Sequence, residues 1–255
     1  MRLIISPAKK MKEAPDLIDS QGLPLFLREA RSLADWIASL SYPEVKKLWQ
    51  CNDRIAEENF RRFHEMDLLH NLTPALISYE GIQYQYMAPQ VFAGDEWDYV
   101  QEHLRILSGF YGVLRPLDGV TPYRLEMQAK TGLLGTPGPD GLPPVSLYDF
   151  WGSKLYDAVM DESRIILNLA SREYAKAIEP YLAPGDRMIG VIFGERQKKK
   201  VIQKGTQAKM ARGEMVRFLA ERKAAEPETA KEFDRLGYRF VPELSEDTSY
   251  IFLKQ

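Results

Sequence analysis

Leu3-Ile4-Ile5-Ser6-Pro7-Ala8-Lys9-Lys10, near the amino end, is the stretch on which the fold turns. Three apolar residues in succession, closed by a proline turn, read as a short buried strand. Ser6, Lys9 and Lys10 then fall just beyond its carboxyl end, where α/β sheets hold their ligands. A second segment has the same form. Ile165-Ile166-Leu167-Asn168-Leu169 reads as a strand, and Asn168, Ser171 and Tyr174 stand where it gives way to a helix that Ser171 can cap.

Around these strands the apolar spacing turns helical. Leu25, Leu33, Trp36, Ile37 and Leu40 mark a helix over 25–40, Ser41 with Glu44 forms a capping box for the next, and Asn52 can cap a third that carries Ile55, Phe60 and Phe63. Residues 75–79 read as a strand ending at Gly81, and a helix after Asp95 runs through Trp97, Val100, Leu104 and Leu107. Further strands are expected at 188–193, 201–202, 236–241 and 250–253. Helices are expected after a Ser146 cap, through Leu147, Phe150, Trp151 and Leu155, and over 206–221. Glycine and proline are too dense in 131–145 for a regular element, so a mobile surface loop is expected there. Elements alternate without a fixed period, which points to one compact domain of mixed α/β type over 1–255.

Composition narrows the function classes. Apolar residues at 45% and charged residues at 27% are ordinary globular usage, and a chain of 255 residues buries enough surface to fold without a staple. No stretch approaches the roughly 20 apolar residues of a membrane span. A single cysteine, Cys51, excludes an internal disulfide and every multi-cysteine zinc site, in keeping with a reducing, cytoplasmic compartment. His64 and His70 do not share a helix face, His103 stands alone, and no metalloprotease or calcium-loop pattern occurs, so no metal or cofactor is expected. Phosphate-loop and dinucleotide fingerprints are absent as well. A net charge of −2 means that any contact with nucleic acid must come from a local patch.

Two such patches are visible. From Arg196 to Arg217 eight basic residues face a single acid, Glu214. In the segment 103–127, Gly109 and Gly112 stand three apart between apolar runs, followed by Arg115, Arg124 and Glu126. Two helices meeting at such a glycine turn would present backbone N–H groups and a helix dipole to a phosphate. An ordinary sharp turn between packed helices has the same spelling. Glu126 is the candidate general base, although a carboxylate beside Arg124 also suits a structural ion pair.

Taken in order, Ile5-Ser-Pro-Ala-Lys9, Asn59-x-x-Arg62-Phe63, His103-Leu-Arg-Ile-Leu-Ser-Gly-Phe-Tyr-Gly-Val-Leu-Arg-Pro-Leu117, Pro122-Tyr-Arg-Leu-Glu-Met127, Leu147-Tyr-Asp-Phe-Trp151, Asn168-Leu-Ala-Ser-x-Glu-Tyr174 and Ala211-Arg-Gly213 resemble the YaaA peroxide-stress family. Gly81-Ile-Gln-Tyr84 departs from it, since the family commonly shows Gly-Asp-Val-Tyr there. The resemblance implies a cytoplasmic protein of the oxidative-stress response that protects DNA when hydrogen peroxide and free iron would together damage it. It also implies an unusual mixed α/β fold with a basic cleft and a DNA-binding helix-hairpin-helix element. The hairpin then falls on Gly109 and Gly112, and the DNA-binding cations on Lys9, Lys10, Arg115, Arg124, Lys209 and Arg212. The expected partner is DNA, duplex or locally melted and without sequence preference, with no obligatory protein partner. The alternative is an enzyme acting on a nucleotide, nucleobase or nucleic acid through a polar pocket around Lys9, Arg124, Glu126 and Asn168. Direct iron ligation is disfavoured by the sparse histidines and the single cysteine.

Overall fold

The strand β1 (Arg2–Ile5) takes the middle of an eight-stranded mixed sheet in the computed structural model, which describes residues 1–133, 139–141, 145–198 and 200–255. The other strands are β2 (Leu104–Ser108), β3 (Gly112–Leu114), β4 (Ile165–Asn168), β5 (Arg187–Gln197), β6 (Lys200–Ile202), β7 (Tyr238–Phe240) and β8 (Ser249–Lys254). Their spatial order is β7-β8-β5-β4-β1-β2-β3, with β6 folded back on β5. β8, β5, β4, β1 and β2 run parallel, and β3, β6 and β7 are antiparallel additions. Leu3 pairs with Leu104 on one side and Leu167 on the other. Leu3, Ile4 and Ile5 are all fully buried, as a parallel strand covered on both faces requires.

From β1 the chain moves to β2 on one flank, then returns to β4 on the other and continues outward through β5 to β8. The seam between β1 and β4 is therefore a topological switch point. Loops leaving the carboxyl ends of two such strands diverge and leave a crevice. Ser6, after β1, and Ser171, after β4, face each other across it: the Ser171 backbone N–H donates to Ser6 Oγ at 2.8 Å, and Ser6 Oγ donates to Ser171 Oγ at 3.2 Å.

Most of the helices follow the expected spacing. They are α1 (Leu27–Ser39), α2 (Tyr42–Trp49), α3 (Asp53–His64), α5 (Gly94–His103) and α6 (Gly205–Glu221), while α4 (Ile82–Met87) has no counterpart in the expected spacing and the helix expected through Leu147 and Leu155 breaks at Gly152 into Leu147–Trp151 and Lys154–Val159. The Ser41 N–H donates to Glu44 at 2.8 Å, the Ile55 N–H to Asn52 at 3.0 Å and the Asp149 N–H to Ser146 at 3.2 Å, so three of the four expected caps form, whereas Ser171 stands at the start of Arg172–Ala175 without a side-chain capping bond. Residues 75–79 correct the expectation of a strand. Ala75–Ser78 is a helical turn, and only Tyr79–Glu80 is extended, paired with Lys10–Met11.

The helix-hairpin-helix expected around Gly109 and Gly112 is a β-hairpin instead. α5 stops at His103, and Leu104–Ser108 pairs with β1 on one edge and with Gly112–Leu114 on the other. The physical reason is burial on every side. A helix hides one face, whereas all five residues of β2 are buried, and an apolar run this short cannot be assigned to helix or strand from its period. Gly112 turns the chain with φ +73°, and a Cβ there would lie 2.9 Å from both Phe26 and Trp151. A Cβ on Gly109 would lie 2.6 Å from the Leu125 carbonyl oxygen. Both glycines are buried packing points, and the Phe110 and Tyr111 N–H groups between them donate inward to Ser108 Oγ.

Most of the segment at 131–145, expected to be a mobile loop, lies outside the described residues, as does Lys199. At its base the Thr131 hydroxyl donates to the Val145 carbonyl.

Candidate functional site

A cavity of about 520 Å³ opens at the carboxyl end of the β1–β4 seam. The β1 loop contributes Ser6, Lys9 and Lys10, the β4 loop Ser171, Glu173 and Tyr174, and α4 contributes Gln83 and Tyr84. Tyr123, Arg124 and Glu126 come from the chain after the hairpin, and Lys209 and Arg212 from α6. The last two are three residues apart and share a helix face.

Gly213 explains how α6 reaches the site. A Cβ at that position would lie 2.0 Å from the Gln83 carbonyl oxygen, so glycine lets the α6 backbone rest directly on α4. Arg212, the neighbouring residue, is then held over the cavity.

Hydrogen bonds fix the floor. Ser108 Oγ already accepts the two hairpin N–H groups, so its own proton goes to Tyr123 Oη at 2.6 Å, and Tyr123 in turn donates to Tyr79 Oη at 2.8 Å. Tyr84 Oη donates to the Ser6 carbonyl at 2.9 Å. Burial raises the phenol pKa values of Tyr79, Tyr84, Tyr123 and Tyr174 above their ordinary range, so these groups stay protonated.

The charges are distributed unevenly. Glu126 accepts from Lys9 at 2.9 Å through one oxygen and from Arg124 at 3.0 Å through the other. Lys10 pairs with Glu80 at 2.8 Å. Lys209 and Arg212 pair with no carboxylate among the described residues. Burial lowers the guanidinium pKa of Arg212, because the charged form is poorly solvated there. Three buried N–H donors of the lining, Gln83 Nε2, Arg124 Nε and Arg212 Nε, have no acceptor among the described residues. The carboxyl of Glu173 is shifted upward by burial and by the nearby Glu126 charge, against the N–H of Gln128 that it accepts.

The geometry brings Lys9, Lys10, Arg124, Glu126, Lys209 and Arg212 together and leaves out four expected residues. Gly109 and Gly112 are in the buried hairpin, and exposed Arg115 is not in the lining. Asn168 is spent locally, accepting from the Ala170 N–H at 2.9 Å. The expected basic cleft is also interrupted by Glu80, Glu126 and Glu173, and part of the basic run is neutralised elsewhere: Lys204 pairs with Glu195 and Arg217 with Glu221. Gln83, Glu173 and Tyr123 join the lining although the sequence gives them no site role: Gln83 stands in the segment that departs from the family pattern, and Glu173 and Tyr123 lie within motif segments with no part of their own. Among the described residues no group of His, Cys, Asp and Glu could hold a metal ion, and no helix is long and apolar enough to cross a membrane.

The family model described as "Peroxide stress protein YaaA" matches residues 1–244. This chain belongs to the YaaA peroxide-stress family. YaaA relatives align over almost their full lengths. A "UPF0246 protein" of Agathobacter rectalis is 52% identical, over 99% of this chain and 98% of its own. One of Lachnoclostridium phytofermentans is also 52% identical, over 100% and 96%, and one of Pediococcus pentosaceus 46%, over 100% and 98%. Every segment that builds the cavity lies within the YaaA match.

Proposed function

We propose that this YaaA-family chain serves peroxide defence by binding DNA, and that it does so by admitting one unpaired nucleotide of a locally opened strand into the cavity. The observation that carries the reading is Arg212, a largely desolvated guanidinium with no carboxylate partner among the described residues. A cation is kept in such a place at a cost to stability, which an anionic ligand offsets. Lys209 on the same face adds a second free charge, and the unpartnered donors on Gln83 and Arg124 suit the acceptor-rich edges of a nucleotide. An open cleft of this volume admits a single extruded unit, which a flat duplex surface does not present, and nothing in the lining selects a base.

The test compares fully paired DNA with DNA carrying a short unpaired region, at several salt concentrations. Arg212→Ala is expected to weaken binding to the unpaired form by roughly tenfold to a hundredfold, the loss of one charge-assisted hydrogen-bonding group. The same variant is expected to melt a few degrees higher, since it removes an uncompensated charge. Lys209→Ala should lower the slope of log affinity against log salt by about one. Arg115→Ala should change neither. Equal affinity for paired and unpaired DNA, or unchanged binding by Arg212→Ala, would sink the proposal.

One observation favours the second reading, an enzyme acting on a nucleotide. Glu173, shifted upward, and Glu126, held between two cations, line the same cavity, and carboxyls in unlike environments suit acid and base roles. Turnover of a nucleotide by the wild type that Glu126→Gln and Glu173→Gln each abolish would establish it.

A further inference from the structure

A second cavity of about 390 Å³ shares Lys9, Arg124 and Glu126 with the first. The ion-paired trio is thus the wall between the two. Beyond it the lining is chiefly Trp49 and Gln50 at the end of α2, with Gln128 and Lys130. Lys130 is exposed and has no carboxylate partner among the described residues. Trp49 Nε1 is buried without an acceptor, although its ring is fixed by stacking on Phe63 at 5.7 Å. Among the described residues, a ring whose buried N–H has no acceptor and an unpaired cation thus line this cavity, as Gln83 and Arg212 line the other.

We infer that the second cavity is a subsite for the next nucleotide of the same strand, so that the protein takes two adjacent unpaired nucleotides and the phosphodiester between them lies on the shared wall. This rests on the nucleotide reading of the first cavity. Lys9 and Arg124 both point a charge at Glu126, and an internal phosphate reaching the wall exchanges with that carboxylate for the two cations. Lys130 then meets the outer phosphate, while Trp49, Gln50 and Gln128 supply groups that bond a base edge or sugar without selecting a particular base. No bond is made or broken in this step; one anion replaces another.

Calorimetric titration with thymidine 5′-monophosphate and with the 5′-phosphorylated thymidine dinucleotide separates the two claims. The dinucleotide is expected to bind at least tenfold more tightly. Lys130→Ala should remove most of that gain while leaving the mononucleotide affinity within about twofold, and Trp49→Phe, which keeps the ring on Phe63, should reduce the gain severalfold. DNA hairpins with one or two bulged nucleotides form a second arm, in which the two-nucleotide bulge should show the same preference and the same dependence on Lys130. If neither nucleotide binds, the nucleotide reading itself fails and this inference goes with it. If both bind equally, or Lys130→Ala weakens both alike, the second subsite is overturned while the first stands. If the preference holds for the free dinucleotide and not for the bulges, a DNA strand is overturned as its source.

Discussion

Asp118 lies buried just after the hairpin, and its side chain accepts from the Arg115 N–H at 2.8 Å. Burial pushes its carboxyl up from 3.8 to about 6, against the pull of that hydrogen bond and of the Arg115 and Arg105 charges. A carboxyl whose folded-state pKa is raised binds its proton more tightly in the native state. Its contribution is therefore complete below about pH 4 and is lost as pH rises through about 6, a swing on the order of 2–3 kcal/mol. Asp118→Asn keeps an acceptor for the Arg115 N–H and cannot ionise, so it should gain stability relative to wild type between pH 4 and 7. Denaturant unfolding of both proteins across that range measures it, and parallel stability curves would refute the argument. At this scale Lys9, Arg124, Glu126, Lys209 and Arg212 are legible in the sequence, because charge beside a strand end or accumulated on one helix is visible there. Gln83 and Glu173 are not, since what distinguishes them is burial, an unpartnered amide and a shifted carboxyl, all of which depend on neighbours far away in the chain.

The packing of α6 on α4 makes the contrast between two glycines of one helix informative. Gly213→Ala drives a methyl group into the Gln83 carbonyl, so the helices must part, at a cost beyond the usual 1–3 kcal/mol or so of overpacking. Gly205, at the start of the same helix, has nothing within 4 Å of the point where a methyl group would sit, and Gly205→Ala should stabilise by roughly 0.5–1 kcal/mol. Thermal unfolding should therefore move in opposite directions for the two variants, and Gly213→Ala alone should weaken nucleotide binding by displacing Arg212. Movement in the same direction would show that Gly213 is not the contact that seats α6. The elements most legible in the sequence are those with a cap or a long period: α1, α2 and α3 begin where their spacing or their capping residues put them. β2 is not legible as a strand because all five of its residues are buried, and β3 follows a glycine turn that spells equally well as a helix break. Only the presence of β1 alongside makes the extended form the better one.

At the scale of the whole molecule the sheet depends on its central strand. Ile4 is fully buried between β2 and β4, and Ile4→Asp would bury a carboxylate in the sheet beside Arg105, whose guanidinium already donates to the Gln101 and Leu104 carbonyls. That variant should show no cooperative thermal transition by circular dichroism, whereas Leu17→Asp, at a side chain 56% exposed, should melt like wild type. A wild-type transition in Ile4→Asp would mean that β1 is dispensable. The α/β class is readable from β1 and β4 because a short apolar run followed by polar residues survives without context. The strand order is not, because it is settled by pairings across long loops. Those pairings also bear on how the protein is made. β1 leaves the ribosome first, yet its partners β2 and β4 come at Leu104–Ser108 and Ile165–Asn168. The Ser6–Ser171 bond closes 165 residues of chain. At about 5–20 residues per second, Leu3, Ile4 and Ile5 wait on the order of ten to thirty seconds for both neighbours. During translation the central strand of the sheet thus stands with both edges unpaired for longer than either of its neighbours.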